Sequence, residues 1–386
     1  MQAGWRLTVA SGPRCVPLLD IPAPSGLLEG PWTLSDARGR SRPAQVEGGR
    51  LRAVLAEPCP GEQSFSLEPL ASTGGATARP APGGVAMDLD GQTVTRLHLE
   101  GTPKPFLHPL LAPGGLSVVR GWPLAPDPGD RRDHPHHRGL WTGHGDLASA
   151  DTWEEGGRRS GRIVVSDVHS GGGPAAAQVA LDLRWETAGG QLAALERRVY
   201  TLWAYRERAH VLDVTLSLAP GEAGPLRFGD TKEGGLVALR LAAGLEQDRG
   251  GQILTSEGAR GEAEAWGSAA AWCACGGAPL GAPDSPLGVA VLSHPDNPVP
   301  PMRWHVRAYG LLAANPFALS QYHPGRGEDG SWTAPASGAR FRFRVLTFRG
   351  RLEELDLAGC ARDWGSEPVA AWQGPLAAKE DMGLAF

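Results

Sequence analysis

The chain has 386 residues, enough for one large domain or two, and carries a net charge of −5 with a pI near 6.1. There is no basic surplus, which excludes nucleic acid and anionic membrane surfaces as expected partners. No run of eighteen apolar residues occurs, and the opening Met1-Gln2-Ala3-Gly4-Trp5-Arg6 lacks the charged-then-apolar plan of a signal peptide, so the expected location is the cytoplasm.

Glycine (54) and proline (34) make up more than a fifth of the residues and are spread between short apolar runs, the pattern of many short strands joined by turns. The five cysteines, Cys15, Cys59, Cys273, Cys275 and Cys360, are odd in number and scattered, which argues against a disulfide framework. Cys273 and Cys275 have one residue between them, lack zinc-knuckle spacing and read as thiols. Thirteen tryptophans against four tyrosines supply core volume and flat apolar platforms for sugar rings.

In chain order, residues 1–72 alternate turns with strand-like runs at Trp5–Ala10, Cys15–Ile21, Trp32–Ser35, Pro43–Val46, Leu51–Leu55 and Ser64–Leu67, which predicts a small β-sandwich domain. Residues 73–84 lose all periodicity and read as a linker. Strand patterns resume and continue through 85–350, predicting a broad antiparallel β domain; Arg340-Phe341-Arg342-Phe343-Arg344-Val345 has arginines on one face and apolar residues on the other. Residues 351–386 form a C-terminal helix and tail, with Leu352–Ala361 the helical part.

Within that domain, Asp133-His134-Pro135-His136-His137-Arg138 and the following Leu140-Trp141-Thr142-Gly143-His144-Gly145-Asp146 place four of the eleven histidines within eleven residues. An extended run would set His134, His136 and Arg138 on one face and Asp133 and His137 on the other, with glycine turns returning His144 and Asp146 towards the first three. The chemistry on offer is proton transfer near neutral pH, metal ligation, or anchoring of an anionic or hydroxyl-rich ligand. Asp230-Thr231-Lys232-Glu233 adds a carboxylate pair and an ammonium in a glycine-flanked loop. Ser293-His294-Pro295-Asp296-Asn297-Pro298 follows, and then Arg303, His305, Arg307 and Tyr309 share one face of an extended run. Asn315, before Pro316, either caps a turn or offers an amide to a ligand.

These segments in this order, from Asp133-His-Pro-His-His-Arg138 through Asp230-Thr-Lys-Glu-Gly234, His294-Pro295 and Trp304-His-Val-Arg307 to Ala313-Ala-Asn-Pro-Phe317, resemble a bacterial family of uncharacterised proteins labelled PmoA-like or "methane oxygenase PmoA". The resemblance spans about residues 100 to 350. It departs at Ala148–Trp153, where relatives carry an Asn-Gly turn. The oxygenase in the label is an integral membrane protein and does not carry over to a chain without a spanning segment. Members of the family accompany sugar-catabolic genes, which implies a carbohydrate substrate.

The expected fold is all-β: a large antiparallel sandwich, of the supersandwich type seen in sugar mutarotases, behind a small N-terminal β-sandwich. The expected function is His-mediated acid–base chemistry on a sugar or glycoside derivative, by epimerisation, β-elimination or hydrolysis. A non-catalytic sugar-binding protein is the alternative, and a metal-dependent oxygenase using His134, His136 and Asp146 a third. Candidate catalytic groups are His134, His136, His137, Arg138, His144, Asp146, Lys232, Glu233 and His305. Candidate substrate contacts are Trp141, Asp230, His294, Arg303, Arg307, Tyr309 and Asn315, and His134, His136 and His144 form the set for a divalent metal. The sequence is silent on oligomeric state.

Overall fold

The computed structural model describes residues 4–11, 15–55, 61–71, 74–299 and 301–376. The fold is all-β, and every strand pairing among these residues is antiparallel. Three large sheets are built. The N-terminal sheet has seven strands, in the order Leu18–Pro22, Arg50–Val54, Ser41–Glu47, Gly30–Asp36, Gly61–Pro69, Gly4–Ser11 and Val369–Leu376. It folds over a core of its own that includes Leu7, Leu34, Leu51 and Phe65.

The other two sheets, of eight strands each, pack face to face as the large sandwich. The front sheet runs Trp304–Arg307, Leu311–Ala314, Gly234–Arg240, Leu140–His144, Phe106–Leu110, Gln92–His98, Gly84–Leu89 and Ala76–Ala81. The back sheet runs Arg162–Gly172, Ala176–Glu186, Leu192–Trp203, Ala209–Pro220, Ala339–Arg349, Leu287–Ser293, Trp272–Gly277 and Gln252–Thr255. Period-two alternation explains the seam. Leu97, Leu107, Leu140 and Leu239 of the front sheet meet Val179, Leu181, Leu183, Phe341, Phe343 and Val345 of the back sheet, all within 1% of complete burial. Each such side chain contributes roughly 1.5–3 kcal/mol relative to exposure, so the seam dominates the stability of the domain.

Three expectations need correction. Residues 76–81, read as linker, are a strand paired with Gly84–Leu89 around the Pro82-Gly83 turn. Alanines hide its alternation in the sequence, and Gly75 lies so close to Gly173 that a Cβ there would stand 2.5 Å from the Gly173 carbonyl oxygen. The C-terminal helix is Leu357–Trp364, not Leu352–Ala361. Asp356 caps it by accepting from the Gly359 N–H at 2.8 Å. Val369–Leu376 then returns to pair with Gly4–Ser11, so the end of the described chain completes the N-terminal sheet and is not a free tail. Third, Cys15 and Cys360 form a disulfide with Cα atoms 5.1 Å apart, whereas Cys273 and Cys275 are buried free thiols. Cys59 lies outside the described residues. No helix among the described residues is long and apolar enough to cross a membrane.

Candidate functional site

The outward face of the front sheet carries a second apolar layer of Phe106, Trp141, Trp153, Ala238, Leu311 and Ala313, with Tyr309 packed against it. The histidine segment lies on this layer. It is not extended: the His137 N–H donates to the His134 carbonyl at 3.0 Å, Pro135 occupies the turn, and His134 has φ +40°. The turn stacks His134 on His137 with ring centroids 4.8 Å apart and sets His136 edge-on to His137 at 4.4 Å. His137, expected on the opposite face, is therefore central. Gly139 ends the segment with φ +51°, where a Cβ would lie 1.9 Å from the Leu107 carbonyl oxygen.

Two buried arginines fix the turn from below. Arg120 and Arg240 have fully buried side chains; Arg120 reaches Asp133 at 2.5 Å and Arg240 reaches it at 2.8 Å. Arg120 also donates to the carbonyls of His134 (3.1 Å) and His137 (3.2 Å). Burial of Asp133 works against its charge, but the two guanidiniums outweigh it and hold the carboxyl at about 2. Arg240 then lies 4.5 Å over the Tyr309 ring, and Tyr309 stacks on His134 at 5.4 Å.

The strand Trp304–Arg307 supplies the other half. Trp304 and Val306 point into the sandwich while His305 and Arg307 point outward, as period two predicts. His305 lies between Trp153 at 6.2 Å and Trp266 at 4.8 Å, and Arg307 sits 4.9 Å over Trp266 and 5.9 Å over Tyr309. Trp153 also touches His137 at 5.2 Å. A continuous chain of rings therefore joins two segments more than 150 residues apart in sequence, from Trp266 through His305, Trp153, His137 and His134 to Tyr309.

Several ring nitrogens in this chain lack partners. His137 is 2% exposed and neither nitrogen is hydrogen-bonded; His136 Nε2 and His305 Nδ1 are likewise buried and unbonded. Buried polar atoms are normally satisfied, so this concentration makes the ring chain the candidate site. Burial, reinforced by neighbouring positive charge, holds His136 and His305 at about 3 and pushes His137 lower still, so all three are neutral imidazoles near pH 7. Glu154, half exposed, stands 3.8 Å from His136 Nε2; burial, with the charges of Glu233 and Asp151, raises its carboxyl above the ordinary range. Lys232 and Glu233 pair at 3.3 Å and are half exposed; the Lys232 backbone hydrogen-bonds to His305, which raises its pKa, while the Lys232 charge lowers it.

Other expected members have structural roles. Arg138 turns away to Glu155, to the Thr102 hydroxyl at 2.8 Å and to the Pro135 carbonyl, because the turn at Pro135 breaks the period that would have aligned it with His136. His144 projects inward to Phe228 and Phe317, since it and Trp141 are an odd number of residues apart on one strand. Its Nδ1 accepts the Asp146 N–H at 3.0 Å, while the Asp146 carboxylate faces Arg227 at 3.4 Å. The only group of three or more His, Cys, Asp or Glu among the described residues with ligand atoms within 4.8 Å of one another is Asp167, His169 and Asp182, so neither His134–His136–His144 nor His134–His136–Asp146 is assembled as a metal set. Trp141 is fully buried beneath His137 and offers no platform. Asp230 accepts the Ser320 and Gly330 N–H groups, and Arg303 donates to the Gly267 carbonyl. Asn315 donates to the Thr231 carbonyl at 3.0 Å and so positions the Lys232–Glu233 loop. His294 lies off this face altogether, beside Trp364.

Sequence reasoning missed Glu154, Arg120, Arg240 and Lys104. Lys104, fully buried and lowered to about 8 by burial, ties the Thr152 and Trp153 carbonyls to Glu155. None of these four sits in a dense motif, so none carried a signal in the sequence.

The buried histidines also set an acid sensitivity. His136, His144 and His305 at about 3, and His108 and His294 at about 4, all lie below the ordinary imidazole value of about 6.5, with burial the leading cause in each. The unfolded chain therefore binds more protons between pH 6.5 and 4, so stability is full above about 6.5 and is lost as pH falls. Urea midpoints should drop between pH 7 and pH 5, each imidazole contributing up to about 1.4 kcal/mol per pH unit. Midpoints unchanged over that range would refute the buried neutral set.

Comparison with the curated proteins finds no match. Among solved structures, the chain is similar to a protein in the glycosyl hydrolase family 38 from Enterococcus faecalis, at 11% identity and TM-score 0.46, over 98% of this chain and 48% of that one. It is also similar to an alpha-mannosidase from Enterococcus faecalis V583, at 10% identity and TM-score 0.45, over 97% and 46%. The chain thus spans about half the length of these structures. Residues 84–362, which hold the whole ring chain and every strand of the sandwich except the edge strand Ala76–Ala81, match the model of a family of unknown function, DUF6807, and the chain belongs to that family.

Proposed function

We propose that the outward face of the front sheet is the active site of a carbohydrate-active enzyme, working by acid–base chemistry on a sugar or glycoside derivative. The observation that carries the reading is the approach of His136 Nε2 to Glu154 at 3.8 Å, beside the neutral imidazoles of His137, with both nitrogens unbonded, and His305, with its Nδ1 unbonded. An imidazole held near 3 is by itself a weak base. A carboxyl with a raised pKa next to it supplies the missing basicity, and the pair can take a proton from a substrate carbon and return it. The charge developing on the substrate oxygen would be met by Lys232 and Arg307, and by hydrogen bonds from the neutral imidazoles. Tyr309 and Trp266, half-buried rings at either end of the chain, offer flat surfaces to a sugar.

This favours epimerisation or β-elimination, which begin with removal of a proton from carbon, over hydrolysis. The resemblance to PmoA-like proteins, with their sugar-catabolic companions, agrees with it. The test is proton NMR in D2O on a panel of aldoses, ketoses and oxidised glycosides incubated with the protein. Exchange of one carbon-bound proton, or a new epimer or unsaturated product, supports the reading. Saturable binding with neither exchange nor product would make the protein a sugar binder instead.

A further inference from the structure

Glu154 comes from a bend outside the sheets, and His136 from a separate turn. Loops of this kind move unless their backbone groups are tied down, so the spacing of the two side chains needs a cause. Three side chains supply it. The Asp151 carboxylate accepts the Trp153 and Glu154 N–H groups, each at 3.1 Å. The Lys104 ammonium donates to the Thr152 carbonyl at 2.9 Å and the Trp153 carbonyl at 2.7 Å, and stands 3.1 Å from Glu155 Oε1. Arg138 takes the other Glu155 oxygen and donates to the Pro135 carbonyl at 3.1 Å and the Thr102 hydroxyl at 2.8 Å. That hydroxyl in turn donates to the Lys104 carbonyl at 2.9 Å.

These bonds close a brace across the site. Pro135 precedes His136 and Glu155 follows Glu154, so the path from Pro135 through Arg138 and Glu155 to Lys104 joins the backbone beside one member of the pair to the backbone beside the other. A buried ammonium is a costly choice for such a post, because a neutral donor could cap two carbonyls without the desolvation of a charge. The charge does what a neutral donor could not. Burial is the leading influence on both His136 and Glu154, but Lys104 is the first electrostatic one on His136 and acts on Glu154 in the same downward sense. The charged groups facing Lys104 are Glu155, Arg138 and Asp151, and its field also reaches His137. Burial brings loss of its proton down to about 8.

We infer that Lys104 is a positioning residue of the acid–base pair: through Glu155 and Arg138 it sets Glu154 against His136, and its charge biases both, so the site weakens when Lys104 loses its proton. The inference rests on the acid–base reading of this face. Labelling of the full chain with diethylpyrocarbonate, which attacks neutral imidazole nitrogens, tests it when read residue by residue by mass spectrometry with the exposed His169 as reference. His136 Nε2 is buried beside Glu154, so Lys104→Met should speed its labelling by about threefold or more through local opening, as Glu154→Ala does. In a Glu154→Ala background Lys104→Met should add nothing, because the two act in one line. Labelling of the parent should rise as pH passes about 8. Arg138→Gln cuts the brace at a half-buried position and should give a smaller rise, which keeps the test open if Lys104→Met fails to fold. On a substrate found by proton exchange, Lys104→Met should lower kcat by about tenfold or more at unchanged KM and move the acid limb upward, whereas a merely structural loss would leave the limb in place. Labelling needs no turnover, so a parent without activity removes the acid–base reading alone. Parent-like labelling of folded Lys104→Met and Arg138→Gln, full additivity with Glu154→Ala, or a parent rate flat through pH 8 overturns the inference and leaves Lys104 as a loop anchor.

Discussion

Asp133→Ala is expected to lower unfolding stability by about 3 kcal/mol or more, the largest loss of any single substitution around the site. The reason lies in its two partners. Arg120 and Arg240 are fully buried, and both direct guanidinium nitrogens at the one carboxylate. Removing it leaves two like charges on fully buried side chains with no carboxylate between them, and uncompensated buried charge costs far more than the pair gained when formed. Because Arg120 also holds the carbonyls of His134 and His137, the turn that stacks the imidazoles should loosen together with the core. The pH dependence gives an independent signature. A carboxyl held at about 2, below its unfolded value of about 3.9, stabilises the fold above pH 4 and ceases to as pH falls towards 2. The parent should therefore lose more stability over that interval than the variant, in which the buried histidines still contribute. Exposed Asp167→Ala, as a control, should change stability by no more than about 0.5 kcal/mol. Urea unfolding of the three proteins measures all of this, and an Asp133→Ala variant as stable as the control would show that the arginines are neutralised by something else.

How much of this could be read from the chain alone depends on the range of the signal. The sandwich was legible because its strands alternate: Phe341, Phe343 and Val345 are buried at the seam with their arginine neighbours on the far side, as their spacing requires. The same rule placed His305 and Arg307 together correctly. It failed on His134–Arg138, where Pro135 makes a turn and period two no longer applies. It was also misapplied to His144, whose odd separation from Trp141 within one strand already put it on the inner face. The strand Ala76–Ala81 was hidden because alanine carries little contrast between faces. Arg120, Arg240 and Glu154 were invisible for a different reason. Each is an ordinary charged residue in sequence, and only the packing of segments from across the chain gives it a neighbour that changes its meaning.

His136→Ala and Glu154→Gln should each reduce turnover of the cognate sugar derivative by about a hundredfold or more, the usual cost of removing one half of a proton-transfer pair. The two substitutions test different things. His136 is 8% exposed and packed edge-on to His137, so its loss also leaves a small cavity; Glu154 is half exposed and its amide replacement keeps the shape. A loss in Glu154→Gln with KM unchanged therefore reports chemistry and not packing. If the residues act as a unit, the double variant should be no worse than the poorer single one, because the second removal takes away a group that has already lost its role. The pH profile adds a sign. Burial and the charges of Glu233 and Asp151 raise the Glu154 carboxyl, so the acid limb of kcat/KM should lie above the ordinary glutamate value of about 4.3 and should vanish in Glu154→Gln. Full activity in both folded variants would remove the acid–base role from this pair. An acid limb that persisted unchanged in Glu154→Gln would move the base elsewhere on that face, to Glu233 first, a carboxylate whose partner Lys232 is itself half exposed.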